Sequence, residues 1–180
     1  GVFSDGTFSL SGGINASGQV VGEADTQGTS RAFLWDAQGG LRTLGLLGVN
    51  SSANSINARE QVVGRFESPL GERAFLWDAI NGMQDIDTLT TPGQNSGAFD
   101  VNNFGQVVGE IDLGGFNRGF LWEPGPGMML LQNLIDPSDP LFGTFSIDHV
   151  HRLLQRTCAS VQVIAQHIMQ HSERMHPHQG

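Results

Sequence analysis

A short pattern of apolar and polar residues occurs three times along the chain. Each copy begins with Gln-Val-Val-Gly, at residues 19–22, 61–64 and 106–109, and ends with Phe-Leu-Trp, at residues 33–35, 75–77 and 120–122. The distance from Gln to Trp is 16 residues in every copy, and successive tryptophans are offset by 42 and then by 45 residues. A period of this size is typical of an array of repeated supersecondary units.

Each copy contains short β-prone runs. In the second copy, four such runs are separated by Gly, Pro, Asn and Ser about every ten residues, which indicates an antiparallel sheet. Residues 74–77, Ala-Phe-Leu-Trp, are apolar in succession, so both faces of that strand need to be buried. A sheet stacked between two similar sheets provides this burial, and four strands per unit describe the blade of a β-propeller. The alternatives are a β-sandwich and an irregular solenoid.

The predicted fold is therefore all-β, with antiparallel four-stranded units stacked as a partial β-propeller (about three blades plus partial ones) over residues 1–148. The units span about residues 11–50, 51–95 and 96–140. The repeated core positions are Val20, Phe33 and Trp35, then Val62, Phe75 and Trp77, then Val107, Phe120 and Trp122. A fourth unit begins near Gly143 and is interrupted at Asp148, from which we expect the array to belong to a longer protein. Its open sheet edges favour self-association.

The first turn of each unit predicts one strained residue. Asn begins and Gly ends the turns at 15–18 and 102–105, where glycine supplies the positive φ that closes a short hairpin loop. In the second copy Glu60 takes the place of this glycine. If Glu60 keeps the same conformation, the strain costs on the order of 1 kcal/mol.

Residues 149–180 have a different composition. They contain all six histidines and the single cysteine, Cys158. Apolar residues at steps of three and four predict an amphipathic α-helical tail over about 149–172; the alternative is a tail produced by a slipped reading frame. His167 and His171 lie one helical turn apart and are candidate ligands for Zn²⁺ or Ni²⁺, although a tight site needs three or four ligands. The alternative for these histidines is a polar helix face.

The repeat resembles the HAF family of probable extracellular repeats, which is named after a His-Ala-Phe triplet. The second copy fits the family pattern at Ile56-Asn57, at 61–64, at 74–77 and at Gly82-Met83. The family histidine is replaced in the three copies by Arg31, Arg73 and Arg118. The resemblance implies a bacterial secreted or cell-surface protein of no established activity, with a propeller-like fold, and it supplies no catalytic residues.

The three arginines recur at one structural position and are candidate ligand-binding residues. As a set they could form a ring of guanidinium groups for an anionic ligand such as an acidic glycan. The alternative is a structural role, in which each arginine pairs with acids or backbone carbonyls of its own unit. The tryptophans could likewise stack on sugars or pack between sheets. The pairs Asp85/Asp87 and Asp136/Asp139 are weak candidates for Ca²⁺, because neither lies in a glycine-punctuated loop with several carboxylates.

Composition narrows the classes of function. A formal net charge of −9, with no lysine, disfavours binding to nucleic acid, and no apolar run approaches the roughly 20 residues of a membrane span. No histidine precedes residue 149, so the repeat region cannot form a Ser-His-Asp triad, and no cofactor is expected. We predict a non-enzymatic secreted or cell-surface module that binds a glycan or a surface protein. The alternatives are a polysaccharide-acting hydrolase or lyase whose site lies in further blades, and a truncated product without independent function.

Overall fold

The computed structural model describes residues 3–45 and 47–134, which form β-strands and one short 3-10 helix at Leu131–Asn133. The strands are β1 (Ser9–Ile14), β2 (Val20–Thr26), β3 (Thr29–Asp36), β4 (Gly40–Thr43), β5 (Ser51–Ile56), β6 (Val62–Ser68), β7 (Gly71–Asp78), β8 (Gly82–Asp85), β9 (Ser96–Val101), β10 (Val107–Asp112), β11 (Asn117–Glu123) and β12 (Gly127–Leu130). The predicted helical tail and its histidines lie outside the described residues.

The strands form three four-stranded sheets, each pairing its strands in chain order and antiparallel. The prediction of an all-β fold built from four-stranded antiparallel units is thereby confirmed. The first sheet is joined to the second by residues 44–50 and the second to the third by residues 86–95. The second connection is three residues longer, which accounts for the change from a 42-residue to a 45-residue offset.

The glycine of Gln-Val-Val-Gly is required by a close approach of the backbone. A Cβ atom on Gly64 would lie 2.0 Å from the carbonyl oxygen of Ser52 and 2.9 Å from the ring of Phe75. The pairing of β5 with β6 shifts register at this point, between Ala53 and Ser55, as in a β-bulge. The equivalent glycines, Gly22 and Gly109, have carbonyl oxygens at 1.9 and 2.1 Å from their ideal Cβ positions.

The sheets pack face to face in chain order. One buried cluster joins Val21, Ala32, Leu34 and Leu44 of the first sheet and its connection to Ala53, Ile56, Val62, Phe66, Phe75 and Met83 of the second. A second cluster joins Val63, Ala74, Leu76 and Ile86 to Ala98, Val101, Val107, Ile111, Phe120 and Met128. In β7, Phe75 belongs to the first cluster while Ala74 and Leu76 belong to the second. The strand is therefore buried on both faces, as its consecutive apolar residues predict.

In each sheet, four apolar residues lie directly opposite one another on adjacent strands and form what we call the cross-strand row. The rows are Ile14, Val20, Trp35 and Leu41 in the first sheet, Ile56, Val62, Trp77 and Met83 in the second, and Val101, Val107, Trp122 and Met128 in the third. The second and third rows pack against the preceding sheet.

The cross-strand row of the first sheet is open, because no earlier sheet among the described residues packs on it. Ile14 is 69% exposed and Trp35 is 38% exposed, while Val20 is half-buried. Val20 and Trp35 therefore depart from the core role that the repeat predicts for them. Phe33, the third predicted core residue of this copy, is buried.

One asparagine in each unit connects neighbouring sheets. The Oδ1 atom of Asn57 accepts hydrogen bonds from the backbone N–H groups of Arg59 and Gln61, both at 2.9 Å. Its Nδ2 atom donates to Gln61 Oε1 at 2.7 Å and to the carbonyl oxygen of Asn102 in the third sheet at 2.8 Å. Asn15 of the first sheet donates in the same way to the carbonyl oxygen of Asn57, at 3.1 Å. The same side chain thus fixes a turn within one sheet and ties that sheet to the next.

Candidate functional site

A polar cleft of about 190 Å³ lies where the second and third sheets meet. Its walls come from three places in the chain. The lining residues are Arg65 and Glu72 from the second sheet, Asn95, Ser96, Gly97 and Phe99 from β9 and the residue before it, and Glu110, Asp112 and Asn117 from β10 and β11.

Gly97 opens the cleft because it lacks a side chain at a position where the other copies carry one. Leu10 and Ser52 are its counterparts in the first and second sheets, each opposite the corresponding residue of the next strand. A Cβ atom on Gly97 would have its nearest neighbours, Arg65 Cδ and a ring carbon of Phe99, 3.9 Å away. Space for a larger side chain is therefore present, and the glycine leaves it empty.

The second feature that opens the cleft is the short acidic side chain at Asp112. At the junction of the first and second sheets, Asn50 Nδ2 donates to the carboxylate of Glu67 at 2.7 Å. Asp112 takes the place of Glu67 in the third sheet, and its Oδ1 atom accepts from the backbone N–H of Gly115 at 2.7 Å. Within residues 3–45 and 47–134, the Nδ2 atom of Asn95 consequently makes no hydrogen bond and remains a free donor beside the cleft.

The cleft carries a net negative charge, with three carboxylates and one guanidinium among its lining residues. Arg65 and Glu72 form an ion pair at 3.3 Å, with side chains 53% and 47% exposed, so this pair contributes little to stability. Glu110 and Asp112 have no ion pair with the described residues. The site therefore disfavours anions and offers carboxylate acceptors and amide groups to a neutral or cationic ligand.

Arg73, one of the candidate ligand-binding residues, is only 9% exposed and binds groups of its own unit. Its Nε atom donates to Asp85 Oδ2 at 3.1 Å, and its Nη2 atom donates to the carbonyl oxygen of Asp87 at 2.8 Å. A further hydrogen bond reaches Thr90 Oγ1. Arg73 therefore holds the connection that leads from the second sheet to the third.

Arg31 and Arg118 lie at the equivalent positions of the first and third sheets and also contact nearby residues. Arg31 Nη1 donates to the carbonyl oxygens of Gly48, at 3.4 Å, and of Val49, both in the connection to the second sheet. The Arg118 guanidinium lies over the ring of Phe116, 5.4 Å from its centroid. These contacts favour the structural alternative, and ligand binding by the three arginines stays a prediction.

Asp87 is a buried carboxylate whose hydrogen-bonding capacity is used within the connection. Its Oδ1 atom accepts from the backbone N–H groups of Leu89 and Thr90, both at 3.0 Å. Its Oδ2 atom accepts from Thr90 Oγ1 at 2.7 Å and from the Ser96 hydroxyl. Burial alone would raise the pKa of Asp87, but the hydrogen bonds from Ser96, Thr90 and Leu89 outweigh it and hold that pKa below its usual range. The arrangement is structural, and it leaves this carboxylate poorly placed to bind Ca²⁺.

Metal binding finds no support in the part of the chain that the structure describes. There, no three His, Cys, Asp or Glu side chains come close enough together to hold an ion. The predicted ligands His167 and His171, and the pair Asp136 and Asp139, lie outside the described residues.

Sequence reasoning missed the cleft residues, although the repeat contained a signal for them. The third copy carries Gly97 and Phe99 where the first copy has Leu10 and Gly12 and the second has Ser52 and Asn54, whereas Glu110 and Asp112 match Glu23 and Asp25 of the first copy. Positions at which one copy departs from the others are free of the shared structural requirement. Such positions are therefore better candidates for binding than the repeated arginines and tryptophans.

Comparison with known proteins provides no assignment. No protein-family model, no curated protein and no solved structure matches the chain. The resemblance to the HAF family stays a prediction that rests on the repeated motifs. Among the residues described, no helix is long and apolar enough to cross a membrane.

Proposed function

We propose that this chain is a non-enzymatic binding module of the HAF type, secreted or held at a bacterial cell surface. Its three sheets would be successive blades of a partial β-propeller. Their shared strand order, their face-to-face packing in chain order and the asparagine link between neighbours support this arrangement. The blades provide a rigid scaffold, and differences between copies provide the binding site.

The cleft between the second and third sheets is the observation that carries this proposal. Its ligand is a neutral or amine-bearing saccharide. Glu110 and Asp112 offer acceptors to sugar hydroxyl or ammonium groups, and Asn95 Nδ2 offers a donor. Phe99 lines the same cleft. A concave site with a few convergent polar groups is the usual form of a small-ligand site.

Charge determines which saccharides fit. An acidic saccharide would bring its carboxylates close to three carboxylates and a single guanidinium, which is already paired with Glu72. Like charges at such distances disfavour binding. The proposal therefore predicts selectivity against anionic glycans, which is the opposite of what a ring of arginines would give.

Calorimetric titration of the full chain with three probes tests the proposal. The probes are a neutral gluco-oligosaccharide, a chitosan oligomer with free amines and an oligogalacturonate. The neutral or the amine-bearing oligomer should bind, and oligogalacturonate should not. The substitution Gly97→Leu, which places the residue of the first copy in the cleft, should weaken binding at least about tenfold because the side chain fills the site.

Leu10→Gly is the matched control, because Leu10 occupies the position of Gly97 in the first sheet and lies opposite Glu23, which does not line the cleft. It should leave binding unchanged. Binding of oligogalacturonate alone, or equal loss of binding in Gly97→Leu and Leu10→Gly, would contradict the assignment of the cleft.

A further inference from the structure

The open cross-strand row of the first sheet is an apolar surface on a protein with a net negative charge. Ile14 pairs with Val20, Val20 with Trp35, and Trp35 with Leu41 on adjacent strands. None of the four side chains is charged, although the chain carries a formal net charge of −9. Two copies of this chain can therefore approach through this row without bringing like charges together there.

The equivalent cross-strand rows of the second and third sheets are already buried in contacts between sheets. In the second sheet, Ile56 and Val62 of the row are buried against the first sheet, with Trp77 packed beside them. The row of the third sheet is buried in the same way against the second. The row of the first sheet has nearly the same residue types as these two rows. It differs from them in having no neighbouring sheet within the described chain.

The surface of a second copy that packs on the open row is identified by asking which faces of that copy are exposed. The opposite end of the stack, the outer face of the third sheet, is already covered. Its Val108 and Leu121 are buried in a cluster with Leu131, and Leu134 packs against that cluster. Head-to-tail stacking of copies would therefore need to displace residues that are already packed. Among the residues that the structure describes, the stacking surface left open on a second copy is its own cross-strand row.

We propose that two copies of this chain form a two-fold symmetric dimer by packing the cross-strand rows of their first sheets against each other. A two-fold axis midway along the row sets Val20 against the partner's Trp35, and Ile14 against the partner's Leu41. A large side chain then meets a small one at the centre of the contact. Such an interface closes on itself, so the assembly stops at two copies.

The size of the row sets the strength of the dimer. Four strands about 4.8 Å apart give a row roughly 15–20 Å long. Two such rows bury less than the ~1,600 Å² of a standard stable interface, so the dimer is weak, with a Kd in the micromolar range or above. The proposal is independent of the cleft, which lies at the other junction of the stack.

Sedimentation velocity of the full chain, from about 5 μM to about 1 mM, tests this proposal. The unmodified chain should shift from monomer towards dimer over this range. Ile14→Asp should raise the dissociation constant at least about tenfold, because each dimer then buries two carboxylates in an apolar contact. Ile14 is 69% exposed, so this change should leave the fold intact, as circular dichroism would verify.

Ile80→Asp is the matched control, since Ile80 is 93% exposed and lies outside the row. It should dimerise like the unmodified chain. The proposal is overturned if the unmodified chain stays monomeric throughout, or if both variants weaken association equally. Species larger than a dimer that persist in Ile14→Asp would also overturn it, because they would indicate pairing along strand edges.

Discussion

Glu60 has a φ of +61° in a turn where Gly18 and Gly105 adopt +77° and +84°. A residue with a Cβ atom is strained at such positive φ values, whereas glycine is not. The side chain also has a contact that neither glycine can make, because its Oε1 atom accepts a hydrogen bond from Gln19 Nε2 of the first sheet at 2.8 Å. The strain at Glu60 is thus partly offset by a link between sheets.

The substitution Glu60→Gly separates these two effects. It should relieve about 1 kcal/mol of backbone strain and lose a hydrogen bond worth about 0.5–1.5 kcal/mol. We expect little net change in the free energy of unfolding. In a Gln19→Ala background, where that hydrogen bond is already absent, the same substitution should stabilise the protein by about 1 kcal/mol. Urea denaturation of the four proteins measures both values, and a lower free energy of unfolding for Glu60→Gly in both backgrounds would contradict the strain at Glu60.

Gly64→Ala should be strongly destabilising, by about 2–3 kcal/mol or more, because the new Cβ atom would meet the carbonyl oxygen of Ser52 at 2.0 Å. The matched control is Gly97→Ala, in a strand of the third sheet, where nothing lies closer than 3.9 Å. The control should change stability by less than about 1 kcal/mol. Thermal unfolding compares the two, and equal losses would argue against steric crowding as the reason for the glycine.

The asparagine turns act at the scale of the element, because Asn15 and Asn57 each fix one hairpin and bind the next sheet. Asn57→Asp keeps the acceptor for the N–H groups of Arg59 and Gln61 but removes the donors to Gln61 Oε1 and to the carbonyl oxygen of Asn102. It also sets a carboxylate against two oxygen atoms. We expect a loss of about 2–4 kcal/mol at neutral pH, measured by urea denaturation.

Asn102→Asp provides the comparison for Asn57→Asp. Among the described residues, Asn102 Nδ2 donates to Gln106 Oε1 and to no neighbouring sheet. This variant should lose less stability than Asn57→Asp. A reversed order would show that the bond within the hairpin, and not the bond between sheets, is the important one.

The connection from the second to the third sheet makes stability depend on pH through Asp87. Its pKa is lowered in the folded protein, so the carboxylate contributes stability above about pH 4 and loses it as the pH falls through the folded pKa. Asp87→Asn should destabilise the protein by about 1–3 kcal/mol at pH 7 because Oδ2 can no longer accept from Thr90 and Ser96. The difference between variant and unmodified protein should shrink below pH 4.

Denaturation at pH 7 and at pH 3 checks this dependence. Three other carboxyl groups have lowered pKa values, Asp25 through the Phe8 N–H, Asp36 through the Gly39 N–H and Asp78 through the Asn81 side chain, so the variant keeps part of the acid sensitivity. A constant difference between the two proteins from pH 7 to pH 3 would contradict the role of the Asp87 carboxylate.

At the scale of the whole molecule, the second sheet is buried on both faces, while the first has one neighbouring sheet within residues 3–45 and 47–134. Leu34→Ala removes a fully buried side chain from the first cluster and should cost about 2–5 kcal/mol. Hydrogen exchange should lose protection mainly in β1–β4 and less in β9–β12, because neighbouring units share stability only through their contacts. Leu76→Ala, the equivalent change in the second sheet, should affect the third sheet as well. A uniform loss of hydrogen-exchange protection across all three sheets in both variants would show instead that the sheets unfold as one cooperative unit.

The features that follow from the repeat could be predicted from the sequence, and the features that depend on how neighbouring sheets pack could not. Consecutive apolar residues at 74–77 predicted a strand buried on both faces, and the glycine turns predicted the positive φ of Glu60. The exposure of Trp35 could not be predicted, because it depends on which sheet lies beside that row. The cleft escaped prediction because it results from a missing side chain at Gly97 and from the turn of Asp112 towards Gly115.

The sheets meet through one short sequence, Asn-Ser, at 50–51 and again at 95–96. The hydroxyls of Ser51 and Ser96 accept hydrogen bonds at 2.9 Å from the backbone N–H groups of Ala32 and Ala74 in the preceding sheet. Removing residues 51–95 would therefore join Asn50 to Ser96 and restore the same contact between the first and third sheets. Each sheet therefore presents the same junction to the next, so a chain with one sheet fewer would need no new contact at this seam.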